Sequence, residues 1–396
     1  MVKINKNNLI IGLLFFITFF GYFNFHINIY FMCVITLLIA ILMKKQKINK
    51  SIFRKNQWGY LTFMLALLVT TITSYDKMES IKYFILFFTI YLCSYFSVNE
   101  NENSIKKIFI ILCWIEVICL FLQSLGVGII NNINDFVLPN EILNSMYNNI
   151  KASEAFSGIA GDLPNIMFFS YMIFIYYFVC YLVYLEKKYL IVSIAGLVAI
   201  FLCGKRSGLI ILAISLIFLV LLNMYNEKKL NFKLLIVLVF LCGIALYILV
   251  FTNAGNLILN RNNSLSQSGD YSNGRLDLIK QMIQIFKDNP IFGIGTLATK
   301  SYYGTILGHN IYMQVLSENG AIGLSALLYM LFNNFYYSLK CLKDVSIKKQ
   351  KEICLISISV QIFFIIYGFF GNPLYGTVFL IPYIVFSLVS TKYFCK

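Results

Sequence analysis

The sequence is short of charge and of the residue types that bind metals. Charged residues make up 12% of the 396 residues, whereas a soluble domain has about 25%. Asp and Glu total 17 and His only 2, and no DxD pair, HExxH motif or Walker lysine occurs. The ten Cys fall in apolar segments or on the predicted cytoplasmic side, so neither a disulfide framework nor a zinc site is expected. These shortages count against metal-dependent sugar-nucleotide transferases, and we expect no metal and no cofactor.

Long apolar runs take the place of the missing charge. The chain is 59% hydrophobic, and its apolar blocks are roughly 16–22 residues long. About 20 residues rising about 1.5 Å each cross a hydrocarbon core of about 30 Å, where a single segment satisfies its backbone only as a helix. We predict one all-α membrane domain over residues 1–396, a bundle of about twelve transmembrane helices. The predicted spans are 9–23, 27–43, 57–73, 80–97, 106–125, 164–184, 189–204, 207–223, 234–251, 321–338, 353–371 and 374–391.

The charge distribution predicts the orientation of this bundle. The net charge is +15, and 22 of the 32 Lys and Arg residues lie in the inner segments if the N-terminus is cytoplasmic. Such an excess is typical of cytoplasmic loops, so the positive charge needs no nucleic-acid partner. We predict that both termini are cytoplasmic and that the chain lies in the lipid bilayer of a bacterial cytoplasmic (inner) membrane.

Two long connections are predicted to face outside, over residues 126–163 and 252–320. The second joins spans nine and ten and contains an amphipathic segment, 274–288, which Asn289-Pro290 ends. Such a helix fits either on the outer membrane surface or packed on the bundle. The apolar residues predicted to share one face of it are Leu276, Ile279, Ile283 and Phe286.

A glycine pattern in the same loop resembles a nucleotide-binding turn. Residues 293–298 match G-x-G-x-x-A. A dinucleotide site needs this pattern after a strand in a βαβ unit, but here it follows Pro290 in an outer loop. We therefore interpret it as a tight turn where the chain re-enters the bundle.

Four outer cations are candidates for binding an anion. Lys205 and Arg206 interrupt the apolar stretch 189–223, and Arg261 and Arg275 lie in the longer outer loop. Arginine keeps its charge and makes forked bonds to phosphate. Snorkelling side chains at helix ends and solvated loop cations are the alternatives, and the residues alone leave both open.

His309 is the candidate general base. It ends a segment rich in Gly and Tyr and stands just before Asn310 and an apolar run. Its ordinary pKa of about 6.5 suits proton transfer near neutrality. A structural role is the alternative, and the neighbouring arginines favour catalysis. His26, in a short predicted outer turn, is interpreted as incidental.

The stretch from Arg275 to Gly323 resembles the signature region of the O-antigen polymerase and O-antigen ligase superfamily. It contains an Arg that opens an amphipathic helix, a P-x-x-G-x-G turn at 290–295, then His309-Asn310, then a Glu-x-Gly-x-x-Gly span entry from Glu318. The order and distances of these four parts fit the family pattern.

Two shorter segments resemble the same superfamily. Residues 203–208 (CGKRSG) are similar to its Ser-Arg-Gly-type segment, with Lys205 where Ser is commoner, and residues 157–165 are similar to its outer-loop segment before the sixth span. The pattern is specific for the superfamily and separates its members poorly.

The resemblance implies metal-independent, inverting glycosyl transfer on the outer membrane face. The donor and the acceptor would be undecaprenyl-pyrophosphate-linked glycans. By this resemblance Arg206 and Arg275 bind the donor's pyrophosphate, with Arg261 as a further candidate, and His309 is the catalytic base. The residues expected to support the site are Lys205, Asn310 and Glu318.

Three functions are compatible with the sequence. The leading hypothesis is a repeat-unit polymerase. The sequence is rich in Lys, Asn and Ile, which indicates an AT-rich bacterial genome and favours a role in capsule or exopolysaccharide biosynthesis. A chain-length regulator is a possible partner of such an enzyme. The second hypothesis is a ligase that moves the glycan to another acceptor. The third is a flippase, but a transporter should carry charges deep inside its spans, and Glu116 is the clearest such residue.

Overall fold

The computed structural model describes residues 6–20, 35–36, 57–97, 102–227, 236, 243, 275–304 and 308–391, and these ranges contain helices and no strand. The helices are α1 Lys6–Phe20, α2 Gln57–Ile72, α3 Lys77–Ser97, α4 Glu102–Ser124, α5 Gly128–Val137, α6 Asn140–Ser153, α7 Leu163–Tyr184, α8 Lys187–Leu202, α9 Arg206–Glu227, α10 Arg275–Asp288, α11 Thr299–Tyr303, α12 Ile311–Asp344, α13 Lys348–Tyr367 and α14 Thr377–Ser390.

The predicted all-α class is confirmed in this part of the chain. A helix covers each predicted span within the described ranges, and the predicted spans 27–43 and 234–251 lie almost wholly outside them. Four of the helices, α7, α9, α12 and α13, are long and apolar enough to cross a membrane by length and composition, and α2 and α14 are shorter apolar helices. The protein is therefore a multi-pass membrane protein.

The centre of the bundle is formed by α7, α13 and α14. Every residue of α14 is buried, and most of α7 and α13 is buried as well. A helix that is apolar on all sides belongs at the centre of a bundle. The Phe168 ring of α7 meets Phe363 of α13 edge-on at 4.8 Å and Phe379 of α14 at 5.4 Å, which joins the three helices through favourable aromatic geometry.

An outer helix, α4, turns an apolar stripe away from the bundle. Ile111, Ile115, Ile118 and Leu122 recur at helical spacing and are exposed. An exposed apolar stripe of this kind is suited to contact with acyl chains. Glu116 points the other way and is buried, and neither of its carboxylate oxygens has a hydrogen-bond partner.

The two ends of the bundle carry different polar groups. The starts of α7, α9 and α10 lie together at one end, beside His309. At the other end Lys106 of α4 pairs with Glu352 of α13 at 2.5 Å, and the Tyr184 hydroxyl donates to Glu352 at 2.9 Å. The charge pattern of the sequence predicts that the first end faces outside and the second faces the cytoplasm.

Both predicted outer loops contain helices. Loop 126–163 holds α5 and α6, which pack together through Leu138, Leu143 and Met146. In loop 252–320 the final residues belong to α12, which begins at Ile311 and not at 321. Gly320, with φ 63° and ψ −165°, interrupts α12. The apolar run that was predicted to begin the span at residue 321 is therefore only the part of α12 that follows this break.

The predicted amphipathic helix is present as α10, and its buried side chains are not among the four residues predicted to share its apolar face. Leu276 and Ile283 are exposed, while Met282 and Ile285 are the buried side chains. The physical reason is packing: the Met282 side chain occupies the space where a side chain at position 308 would project. Because of this contact, the buried face of α10 is turned toward the residues that precede α12.

Candidate active site

The two adjacent cations lie on a tight hairpin between α8 and α9. Gly204 turns the chain with φ +63°, a left-handed conformation that glycine adopts without strain. The preceding outer loop braces the hairpin: the Phe156 N–H donates to the Leu202 carbonyl at 3.1 Å, and Ala155 lies against Gly204. The hairpin therefore presents Lys205 and Arg206 at a fixed position.

The backbone on both sides of His309 is held by hydrogen bonds. The Gly308 N–H donates to the Gln314 side chain at 2.7 Å, and the Asn372 amide donates to the Gly308 carbonyl. Asn310 caps α12, because its side-chain oxygen accepts from the N–H groups of the second and third residues of the helix at 3.0 and 3.1 Å. The imidazole itself stays exposed, so it is available to a substrate.

One cavity brings the predicted site residues together. Its volume is about 290 Å³, and Lys205, Arg206, Arg275 and His309 all line it. This is close to the lower limit of about 300 Å³ for small-ligand sites. The other lining residues are Pro164, Gly204, Ser207, Ile210, Tyr367 and Phe370. The three cations come from two separate segments, and the fold alone makes them neighbours.

Helix beginnings add to the positive field of this cavity. Pro164 lies in the first turn of α7, Arg206 and Ser207 begin α9, and Arg275 begins α10. The N-terminus of a helix carries a partial positive charge and free N–H groups that favour anions. Three helix beginnings and three side-chain cations thus point to one small space, which is suited to a compact, highly charged anion.

The surroundings of His309 favour its neutral, basic form. Surrounding protein atoms that partly desolvate the imidazole lower the pKa of His309, and the positive charges of Arg275 and Lys205 lower it further. Asp162, the residue before α7, opposes this effect and raises the pKa of His309. A neutral imidazole at neutral pH can accept a proton, which is the state that a general base needs.

Asp162 is a residue of this site that the sequence analysis missed. Surrounding protein atoms raise its pKa, although its carboxylate still touches solvent, and the charges of Lys205 and His309 act against that rise. It precedes Pro164, which lines the cavity. The one sequence feature that could have indicated Asp162 is its position within the 157–165 segment, beside the outer end of the predicted span 164–184.

Tyr367 and Phe370 were missed as well. They lie at and just beyond the end of α13 and form an aromatic wall of the cavity. Nothing in their local sequence separates them from the many other aromatic residues of the spans. Arg261, predicted as a further anion-binding residue, lies outside the described residues.

Glu318 supports the fold around the site and does not line the cavity. It is fully buried in α12 and accepts hydrogen bonds from four donors. These are the Leu297 N–H (2.9 Å), the Thr299 hydroxyl (2.7 Å), the Gln314 amide and the Tyr375 hydroxyl (2.6 Å). Glu318 thereby ties the 290–298 turn and the start of α14 to α12.

The G-x-G-x-x-A match is a turn, as interpreted from the sequence. Its backbone bonds to α12: the Gly295 N–H donates to the Glu318 carbonyl at 2.7 Å, and the Ala321 N–H donates to the Pro290 carbonyl at 2.9 Å. Gly293 packs so closely on the Glu318 backbone that a side chain there would collide with it. No strand precedes the turn in the described residues, so the nucleotide-binding arrangement is not formed.

The fold and cavity define a multi-pass helical membrane protein with a cationic, His-containing site at one end of its bundle. Residues 191–328 match the model of the family described as O-antigen ligase. The resemblance to the O-antigen polymerase and ligase superfamily is thus confirmed, and members of this family are membrane enzymes of the glycosyltransferase type. The matched region contains Arg206, Arg275 and His309. No curated protein matches the chain significantly.

Proposed function

We propose that this protein is a repeat-unit polymerase of the bacterial cytoplasmic membrane. It would transfer a growing glycan from an undecaprenyl-pyrophosphate carrier onto the sugar end of a second lipid-linked repeat unit, on the outer face. The observation that carries the proposal is the meeting of Arg206, Arg275 and His309 in one cavity. The supporting family match fits both a polymerase and a ligase.

In the proposed reaction the cations act on the leaving group. The bond between the anomeric carbon and the pyrophosphate oxygen breaks, and negative charge builds on the phosphates. Arg206 and Arg275 meet that charge with forked bonds, Lys205 adds a third positive charge, and the helix beginnings add fixed dipoles. Positive groups that are already in place need no rearrangement as the charge develops, which lowers the barrier.

His309 would act on the acceptor. Its neutral imidazole takes the proton from the acceptor's hydroxyl as the hydroxyl oxygen bonds to the anomeric carbon, and polyprenyl pyrophosphate leaves. Direct attack inverts the anomeric centre. A positioned base typically contributes about 10²–10⁴-fold to the rate. Asp162 would offset the positive charge that His309 then carries beside Lys205 and Arg275.

The position of the cavity fits a lipid-tailed donor. It lies where the first turns of α7 and α9 begin, at the end of the bundle assigned to the outer interface. A polyprenyl tail can stay in the hydrocarbon while its pyrophosphate reaches the cationic cavity. Charges of this kind at one membrane face favour interfacial chemistry over a transport path, where they would lie at mid-membrane.

The test is reconstitution of the purified protein with a lipid-linked repeat unit as the only substrate. A ladder of products on a gel, each longer by one repeat unit, is expected of a polymerase. Absence of a ladder together with a single transfer to a separately added acceptor would identify a ligase. Absence of any transfer, with movement of the lipid-linked glycan across the vesicle membrane, would instead support the flippase.

Two variants sharpen this experiment. His309→Ala should abolish the ladder. Lys280→Ala is the matched control, because Lys280 is exposed on α10, pairs with Asp277 at 3.0 Å and does not line the cavity. A normal ladder from His309→Ala would overturn the assignment of the base.

A further inference from the structure

A second cleft, of about 320 Å³, opens at the other end of the bundle. It lies between α4, α7, α8 and α13, and Lys106, Lys107, Glu352, Tyr177, Tyr184 and Tyr189 are among its lining residues. Lys106, Lys107, Tyr189 and Glu352 lie in the first two turns of their helices, and Tyr177 and Tyr184 lie in the last two turns of α7. The cleft is therefore at the level where a bilayer's headgroups meet its hydrocarbon, on the side that the charge pattern assigns to the cytoplasm.

The charges of this cleft leave it positive. Lys106 and Glu352 are almost fully buried and pair at 2.5 Å, so they neutralise each other. Lys107 is exposed and lines the cleft. Lys188 pairs with Glu186 and lies 5.0 Å from the centre of the Tyr189 ring, and Lys187 beside it is exposed. The ligand that matches this balance is an anion.

The cleft is also open to lipid on one side. Ile111 lines it and is 59% exposed, and the same residue begins the α4 stripe that continues to Ile115 and Ile118. Tyr177, which also lines the cleft, accepts a hydrogen bond from the Trp114 indole at 3.0 Å. Tyr and Trp are enriched where membrane and water meet, since their rings are apolar and their tips polar. A polar head in the cleft would therefore have an apolar surface for its tails directly beside it.

We propose that this cleft binds the headgroup of an anionic phospholipid of the cytoplasmic leaflet, with the acyl chains along the α4 stripe. Lys107 contacts the phosphate, and the tyrosine hydroxyls add polar contacts around it. Basic clefts between transmembrane helices on the cytoplasmic side are suited to such lipids. A free phosphate fits less well, because the exposed cations are few and the apolar surface would stay uncovered.

The test compares retention of phosphatidylglycerol and of phosphatidylcholine by the purified full-length protein, measured by native mass spectrometry after exchange in mixed micelles. The wild-type protein should retain phosphatidylglycerol preferentially. Lys107→Ala should weaken that retention about fivefold, from the contribution of about one cation near an anionic lipid. Lys107→Glu should remove the preference. Lys349→Ala, an exposed cation at the start of α13 that does not line the cleft, should retain the lipid like the wild type.

Three results would overturn the proposal. One is equal retention of the two lipids by the wild type. Another is the same loss from Lys349→Ala as from Lys107→Ala, which would indicate a diffuse surface effect. The third is displacement of the bound lipid by inorganic phosphate at equal concentration, which would indicate a phosphate site and no role for the tails. Since Lys107 has no part in the proposed active site, polymer formation by Lys107→Ala in detergent should stay unchanged.

Discussion

The hydrogen bonds around Glu318 allow a prediction of how its removal affects stability. Glu→Gln at this position keeps the size of the side chain but replaces one carboxylate oxygen by an NH₂ group. Four donors point at the carboxylate, and an amide offers only one oxygen to accept them. The two hydroxyl donors, on Thr299 and Tyr375, can rotate to accommodate the change, but the Leu297 backbone N–H cannot.

The magnitude follows from the groups that lose a partner. If the new NH₂ faces Leu297, that partly buried N–H has no acceptor. If it faces the other side, an N–H of the buried Gln314 amide loses its acceptor instead. Either orientation leaves one donor without an acceptor inside the protein, which costs about 1–3 kcal/mol. We therefore expect Glu318→Gln to lower the free energy of unfolding by about that amount.

Glu116→Gln is the matched control for this prediction. Glu116 is also a buried carboxylate, on the inner face of α4, but neither of its oxygens accepts a hydrogen bond. The same substitution there replaces a buried acidic group by an amide and takes no acceptor from any neighbouring donor, so the loss of stability should be smaller than in Glu318→Gln. The assay is SDS-induced unfolding in mixed micelles, followed by circular dichroism. Equal losses in the two variants, or no loss in Glu318→Gln, would refute the hydrogen-bond argument.

The remaining predictions concern the proposed chemistry and are read by the product-ladder assay. His309→Ala should reduce the transfer rate by about 10²–10⁴-fold. Its stability should change little, because the imidazole is exposed. Lys280→Ala should match the wild type in both transfer rate and stability. Arg206→Lys and Arg275→Lys should each impair transfer more than Lys280→Ala, since lysine keeps the charge but loses the forked contact with phosphate; full activity in both would remove the pyrophosphate role. The lowered pKa of His309 places the acidic limb of the kcat/KM profile below pH 6.5. Asp162 raises that pKa, so Asp162→Asn should move the limb to lower pH, and an unmoved limb would show that Asp162 does not act on the base.

Much of the fold follows from hydropathy alone, because in hydrocarbon a helix is the only way for a single segment to satisfy its backbone. The helix bounds near 57, 184 and 206 therefore lie within a few residues of the predicted ones. The start of α12 was missed for a related reason. Its first turns carry polar residues such as Gln314 and Glu318, whose partners come from distant segments, so local hydropathy gives no sign that they are helical.

The site was predictable as far as its residues have distinctive chemistry. Arg206, Arg275 and His309 are rare residue types at outer positions, and the fold brings them to one cavity. Asp162 and Tyr367 join them only through packing, from segments far away in sequence. The face of α10 is a similar case: periodicity favoured Leu276 and Ile283, but an apolar residue near a membrane surface has no need to be buried.

Backbone hydrogen bonds and close packing connect the four parts of the signature region. Gly320 breaks α12 and releases backbone groups that an unbroken helix would satisfy internally. The P-x-x-G-x-G turn supplies their partners, since Ile294 and Gly295 donate to carbonyls before the break and Pro290 accepts from the N–H after it. The same turn ends α10, whose Met282 packs against the residue before His309. The spacing between the arginine at the start of α10 and the histidine before α12 is therefore set by backbone contacts at the break. A substitution at Gly293, which does not line the cavity, should disturb the cavity as severely as the loss of a cation.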